Sequence, residues 1–382
     1  MNMKKAIGIL CYPSVGGSGV VATELGMKLA DRGHDVHFIT SSIPFRLTEY
    51  RPNITVHLVE VNQYSVFKYP PYDITLASKV AEVIDLFDLD IIHAHYAVPH
   101  AVCAELGRNM AKKKGVGVVT TLHGTDITVI GQDLEMQPAI RYGIESSDAV
   151  TAVSESLALE TNMTLNGHYL IDVIPNSIDE SVYYPMRDER LKRHYGIEPD
   201  ETVVIHISNF RPVKRIDDTL AAFAIASNDR AMRLLLVGDG PEMGQTRRRA
   251  KELGIYDKII FAGKQEHVAQ LLAISDIHLL LSEKEAFGLV VLEAMAVGVP
   301  SVVSSAGGLP EVIQDGKTGF IVPTYDVKAA AERIGRLADD PLLREELAEE
   351  GIRDTRRRFD SNQVVRAYEL LYERVCARYE NA

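Results

Sequence analysis

Ala6-Ile7-Gly8-Ile9-Leu10-Cys11-Tyr12-Pro13-Ser14-Val15-Gly16-Gly17-Ser18-Gly19-Val20 reads as a short buried strand, Ala6–Leu10, that ends in a glycine loop and enters a helix from about Val20. The apolar run is too short for the core of a signal peptide. Cys11-Tyr12-Pro13 interrupts it at once, so the basic Met1-Asn2-Met3-Lys4-Lys5 ahead of it is not read as a leader. Glycines at 16, 17 and 19 permit positive φ and close backbone approach, and a helix start offers unpaired N–H groups to an anion. A tight turn without a ligand accounts for them equally well, and the spacing is not GxGxxG.

Outward from this unit, short β-branched runs alternate with longer amphipathic stretches, the pattern of a parallel sheet with helices on both faces. The expected strands are Ala6–Leu10, Asp35–Thr40, Thr55–Val59, Ile91–His95, Gly117–Leu122 and Ala149–Val153, then Thr202–Ser208, Arg233–Val237, Ile259–Ala262, Ile277–Leu281, Ser301–Ser304 and Gly319–Val322. The expected fold is α/β, with two doubly wound, Rossmann-like domains facing across a cleft. The join lies near Val173-Ile174-Pro175-Asn176-Ser177-Ile178, where a short apolar strand meets a turn. Domains of 1–174 and 175–360 follow, with a last helix over about 361–382. Its apolar positions Val364, Val365, Tyr368, Leu371, Tyr372 and Val375 fit either a cap on the second domain or a return to the first.

The 382 residues, 46% of them apolar, suffice for two cores. A net charge of −12 argues against nucleic acid or an anionic membrane as partner. Residues 1–175 hold 13 Lys+Arg against 19 Asp+Glu and the remainder 28 against 34, so each part sums to −6 and neither is a basic module. Cys11, Cys103 and Cys376 are few, distant and outside CxxC spacing, which points to a reduced, cytoplasmic protein without a recognisable zinc site. No transmembrane run is present, and homo-oligomerisation stays open.

Candidate site residues fall where strands end. Glu285-Ala286-Phe287-Gly288-Leu289-Val290-Val291-Leu292-Glu293 sets two carboxylates eight positions apart. Such a spacing fits Glu285 on a loop and Glu293 on the following helix, with N–H groups between them suited to phosphates and hydroxyls. Asn209-Phe210-Arg211-Pro212-Val213-Lys214 brings Arg211 and Lys214 to a helix entry, where positive charge is unfavourable unless an anion binds. Thr120-Thr121-Leu122-His123-Gly124-Thr125-Asp126 crowds polar groups at a strand end, as ligands or with Asp126 or Thr125 as a helix cap. Arg141 suits a carboxylate or phosphate, although an exposed helix arginine explains it as well. Tyr96 follows His93-Ala94-His95, which read as strand residues. Gly238-Asp239-Gly240-Pro241 and Gly307-Gly308 read as turns, and Lys112-Lys113-Lys114 as a solvated loop. Asp88-Leu89-Asp90 matches a metal-site pattern in letters only, at a helix–strand junction, and GxSxG, HExxH and Walker A sequences are absent.

In this order the glycine loop, His123-Gly124-Thr125-Asp126, Arg211 with Lys214, Glu285 with Glu293, and Gly307-Gly308 resemble retaining glycosyltransferases of the GT-B fold, family 4, over nearly the whole chain. Ser-Val-Gly-Gly-Ser-Gly-Val-Val-Ala-Thr-Glu-Leu-Gly at 14–26 and Thr-Thr-Leu-His-Gly-Thr-Asp-Ile-Thr at 120–128 narrow the resemblance to members acting in bacillithiol biosynthesis. That resemblance implies transfer of N-acetylglucosamine from UDP-GlcNAc to the hydroxyl of L-malate without a metal or other cofactor. It further implies that Glu293 holds the ribose and Glu285 the donor sugar, while Arg211 and Lys214 neutralise the diphosphate. Asn209, Gly16, Gly17, Ser18 and the segment Ala286, Phe287 and Gly288 would join them on the donor, and His123 would orient its sugar. The acceptor falls to Arg141, Tyr96, Thr121 and Ser18, with Arg46 and Lys68 as further cations. The alternatives are another nucleotide sugar, an inositol phosphate or phosphoinositide acceptor, a UDP-GlcNAc 2-epimerase-like isomerase, and a non-catalytic sensor.

Overall fold

The computed structural model describes residues 4–13, 16–61 and 71–380. Met1–Met3, Lys68, and Ser14 and Val15 of the glycine loop lie outside the described residues. The chain divides into two compact units, residues 1–177 together with 361–382, and residues 178–360.

In the first unit the strands are β1 (Ala6–Leu10), β2 (Asp35–Thr40), β3 (Ile54–Leu58), β4 (Ile91–His95), β5 (Gly117–Leu122), β6 (Ala149–Ala152) and β7 (Ile171–Val173), in the order β3-β2-β1-β4-β5-β6-β7. In the second they are β8 (Thr202–Ile207), β9 (Met232–Val237), β10 (Ile259–Gly263), β11 (Ile277–Leu280), β12 (Ser301–Ser304) and β13 (Gly319–Val322), in the order β10-β9-β8-β11-β12-β13. All pairings are parallel. Each strand expected from its β-branched run is present with its ends within one residue, and β7 is the short strand before the Pro175 turn. The first helix, Ser18–Asp31, begins two residues earlier than its apolar pattern suggests, because Gly17 at φ 57 turns the chain into it.

Central strands are buried on both faces and therefore apolar almost throughout: Ile7, Ile9 and Leu10 of β1 and Val203, Val204 and Ile205 of β8 have no exposed surface. Helix Ser18–Asp31 seats against the sheet at Gly26, where a Cβ would lie 2.4 Å from the Phe38 ring. In each sheet the strand order reverses beside the first strand, between β1 and β4 and between β8 and β11. The loops leaving the carboxyl ends of such a pair diverge, which opens a crevice.

Helix Ser361–Glu380 belongs to the first unit. Its stripe Val364, Val365, Tyr368, Leu371, Tyr372 and Val375 is buried in the same core as Ile7, Ile9, Ile91 and Val119. Each large side chain so removed from water is worth about 1.5–3 kcal/mol. A Cβ on Gly117 of β5 would sit 2.3 Å from Val375 Cγ1, so the missing side chain there is what lets the helix lie flat. Polar ties set its register. Arg32 donates twice to Glu369, at 2.8 and 2.9 Å, His34 Nε2 lies 3.2 Å from the same carboxylate, and Tyr379 donates to Asp148 at 2.8 Å. No helix among the described residues is long and apolar enough to cross a membrane.

Glu369 is 3% exposed. Burial alone would push its carboxyl up, but hydrogen bonds from Arg32, His34 and Arg366 outweigh it and bring the group from 4.5 down to about 2. The folded state thus binds fewer protons than the unfolded one in this range, so the tie stabilises above pH 4.5 and fades as pH falls towards about 2. Glu369→Gln is expected to cost about 2–3 kcal/mol at neutral pH and to flatten the acid limb of stability, as followed by urea unfolding across pH.

Candidate functional site

At the crevice of the first unit, β1 leads through Gly16 and Gly17 into helix Ser18–Asp31, while Tyr96 follows β4 directly and His123 follows β5. Among the described residues, a Cβ on Gly16 or Gly17 would meet nothing within 4 Å, and no side chain caps the helix. Among the described residues, no side chain occupies the space before the first N–H groups of this helix. Tyr96 takes φ 94, a left-handed conformation costly for a tyrosine. Its hydroxyl accepts from Ser18 Oγ at 2.7 Å, and its ring lies 5.7 Å from that of Tyr12 and 5.4 Å from that of His123. Ser18, Tyr96 and His123 thus come together. Burial pushes the His123 imidazole down to about 3, helped by His100, so the ring is neutral at physiological pH.

Thr121 lies one layer deeper. Its hydroxyl is fully buried and shared among His93 Nε2 at 2.7 Å, Thr151 at 2.7 Å and Tyr368 at 3.2 Å. This corrects the expectation that Thr121 meets an acceptor, since the group is enclosed within the unit and already bonded. Asp126 is corrected as well. It is not a helix cap but a buried clasp, taking the Gly124 amide at 3.0 Å and the Ala97 amide at 3.2 Å. Burial raises it to about 6 against the pull of those amides. Asp126 has no exposed surface, and both of its oxygens are engaged by backbone amides. Arg141, on helix Gln137–Glu145, bonds the Leu165 carbonyl at 3.1 Å and Gln137 at 3.2 Å. Among the described residues no carboxylate lies within ion-pair distance of it. Arg46 is 3.8 Å from Glu24.

At the crevice of the second unit, β8 ends in Ser208-Asn209-Phe210-Arg211 and β11 in the segment before helix Leu289–Val297. Phe210 takes φ 43 and buries its ring fully against His206, which leaves Asn209 and Arg211 exposed on either side. Pro212–Lys214 forms one 3-10 turn, and Lys214 Nζ reaches Glu285 Oε2 at 2.5 Å with Ser282 Oγ at 3.4 Å. The Glu283 amide donates to the Val213 carbonyl at 2.8 Å, sewing the two loops together. Glu293 lies partly buried on helix Leu289–Val297, which starts at Gly288 with φ 90, no side-chain cap and no acidic residue in its first turn. The Phe287 side chain is core, packed edge-on against Phe359, so only its backbone faces outward chemistry.

Charge at the helix entry is less uncompensated than the sequence alone implied. Lys214 has Glu285, Arg215 has Asp218 at 2.9 Å, and Asp217 and Asp218 occupy the first turn of helix Ile216–Ala226. Arg211 remains the exposed cation with no carboxylate within ion-pair distance among the described residues. The glycine turns are tight for a specific reason. A Cβ on Gly307 would fall 2.0 Å from the Glu285 carbonyl oxygen and one on Gly308 2.3 Å from that of Ala286, while Gly238 and Gly240 press equally on Ser208 and Asn209. These turns brace the loops that carry Glu285 and Arg211.

Sequence reasoning did not single out the histidine layer. His93 and His95 of β4 share one face with Thr121 of β5 and with His123 just beyond its end, a polar stripe that spacing by two residues would have revealed. Asp88 caps a helix and pairs with Lys113, and Asp90 accepts from the Ala6 amide, so neither shapes a metal site. Among the described residues no group of three or more His, Cys, Asp and Glu is placed to hold a metal.

Residues 15–182 match the model of glycosyltransferase family 4, and residues 187–354 that of glycosyl transferases group 1. The chain is 52% identical over 370 residues, 97% of each chain, to the N-acetyl-alpha-D-glucosaminyl L-malate synthase of Bacillus anthracis. It is 28% identical to a D-inositol 3-phosphate glycosyltransferase of Acidothermus cellulolyticus, over 87% of this chain and 80% of that one. Among solved structures, Anabaena HepE in complex with UDP and glucose aligns with a TM-score of 0.81 at 22% identity, covering 97% of this chain and 99% of that one.

Gly307→Ala is expected to lower the stability of the second unit by about 2–4 kcal/mol, since clash and positive φ add. Gly16→Ala, facing open space, should stay within about 0.5 kcal/mol of the parent. Denaturant titration of the two variants checks the contrast.

Proposed function

The chain belongs to glycosyltransferase family 4, and we propose that it is a retaining transferase moving N-acetylglucosamine from UDP-GlcNAc to the hydroxyl of L-malate, the first step of bacillithiol biosynthesis. The observation that carries the substrates is the identity, along nearly the whole of both chains, to a GlcNAc-malate synthase. The inositol phosphate transferases are far more distant. The nucleotide-sugar chemistry is supported by the Lys214–Glu285 pair, Arg211 and two uncapped helix starts at crevice positions.

UDP leaves only if the charge growing on its β-phosphate is stabilised. Arg211 and Lys214 supply fixed cations, and the amides of Phe287 and Gly288 and of the Gly16-Gly17 loop supply oriented dipoles. Lys214 is already held by Glu285, so little reorganisation is needed when the diphosphate arrives. Glu285 then faces the hydroxyls of the donor sugar, Glu293 those of the ribose, and Asn209 the diphosphate. His123, neutral, hydrogen-bonds the sugar without adding charge. The malate oxygen bonds to the anomeric carbon on the face from which the phosphate departs, the bond to the phosphate oxygen breaks, and that oxygen takes the malate proton. The burial of Asp126 agrees with a route that uses no carboxylate nucleophile there.

Malate is a dianion, and its pocket must return what desolvation costs. Arg141, partly buried and without a carboxylate at ion-pair distance among the described residues, is assigned one carboxylate, with Ser18 and Tyr96 at the hydroxyl end. No metal is required, and the protein acts in the cytoplasm with its three cysteines as free thiols.

Purified protein given UDP-GlcNAc and EDTA should release UDP with malate and not with other hydroxy acids, inositol phosphate or no acceptor. Release without preference for malate overturns the acceptor assignment. Arg141→Ala is expected to raise the malate KM by roughly tenfold or more while leaving UDP affinity close to parent. Glu293→Ala should weaken UDP binding and spare the malate KM. Lys214→Ala is expected to lower kcat by about two orders of magnitude, checked by steady-state kinetics.

A further inference from the structure

His95 is the last residue of β4, fully buried, with its Nδ1 2.8 Å from His123 Nε2. Burial holds both imidazoles neutral, His95 far below its usual range and His123 at about 3. Each ring then carries one N–H, and a single proton lies between them. Two arrangements satisfy the contact. Either His95 Nδ1–H donates to His123 Nε2, or His123 Nε2–H donates to His95 Nδ1.

His95 Nε2 decides between them. It is buried with no hydrogen-bond partner among the described residues. His93 cannot serve it, because its own nitrogens are taken by Tyr372 Oη and Thr121 Oγ1, each at 2.7 Å. The rings of His93 and His123 are inclined to that of His95 by only 30° and 20°, so an in-plane N–H would point at neither ring face. In the second arrangement His95 must therefore bury an N–H with nothing to receive it. In the first, only a lone pair is left over. Orphaned buried N–H groups are the rarer case in folded proteins. The neighbouring His100 follows the same rule. Its Nδ1 bonds the His95 carbonyl, which can only accept, so the buried, partnerless Nε2 of His100 is likewise a lone pair.

We propose that His95 is a positioning residue: by donating Nδ1–H to His123 Nε2 it fixes His123 as the Nδ1–H tautomer, which presents a neutral N–H donor to an oxygen of the transferred sugar. His123 is partly exposed at the end of β5, and with Nε2 occupied its Nδ1 is the nitrogen left for a ligand. The sugar-facing role rests on the transferase assignment above, whereas the tautomer does not.

The test uses the full-length protein labelled with 15N at histidine. Long-range proton–nitrogen correlation spectra distinguish protonated from unprotonated ring nitrogens, and His123→Asn identifies the His123 signals. The expected result is a protonated Nδ1 and a bare Nε2 on His123. His95→Phe should release the tautomer and lower kcat by about tenfold with little change in the malate KM. His95→Asn, whose amide can donate from the Nδ1 position, should restore most of both. A protonated Nε2 on His123 in the parent protein overturns the proposal, even if His95→Phe fails to fold. An unchanged tautomer and kcat in a folded His95→Phe protein overturns it as well. Absence of sugar transfer by the parent protein would instead defeat the transferase assignment, while the nitrogen shifts would still decide the tautomer.

Discussion

Parallel pairing is the constraint on which the rest of this structure depends. With every described strand running the same way within its sheet, all loops leaving the carboxyl ends emerge along one edge, and they diverge where the strand order reverses. Chemistry collects at those two points. The Gly16-Gly17 loop and Tyr96 sit beside β1 and β4, and Asn209–Lys214 and Glu285 beside β8 and β11. Because central strands are apolar on both faces, polar side chains of the site come almost entirely from strand ends and the first turns beyond them.

Those loops are held by close backbone contact more than by side chains. Gly307 and Gly308 press on the carbonyls of Glu285 and Ala286, and Gly238 and Gly240 on those of Ser208 and Asn209, at distances that no Cβ would tolerate. Phe210 adds a buried wedge in a left-handed conformation. The Lys214–Glu285 pair then needs little further ordering, which is the condition under which fixed charges stabilise a departing phosphate most effectively.

In the first unit the support is polar and lies inside. His93, His95, Thr121, Thr151, Tyr368 and Tyr372 form a layer between β4, β5, β6 and helix Ser361–Glu380, and this layer consumes the Thr121 hydroxyl that sequence position alone offered to an acceptor. Strands, helix faces and the loop positions of Glu285, Arg211 and His123 were legible because they depend on local periodicity and turn chemistry. Hydroxyl and carboxylate allegiances were not, because Thr121 and Asp126 are decided by neighbours 29 or more residues away: Thr151 and Tyr368 for one, Ala97 for the other.

By itself the sequence determined two doubly wound sheets, their strand limits and the family to which the motifs belong, since period-two runs, glycine turns and capping patterns act over a few residues. Tertiary structure decided where the last helix goes. Its apolar stripe suited either unit, and the choice came from Arg32 and His34 meeting Glu369 and from the absent Cβ of Gly117. It also decided that Lys214 and Glu285, far apart in the chain, share one hydrogen bond, and that His95 stands behind His123. Such pairings arise from strand order and depth of burial, which a linear spacing of residue types does not encode.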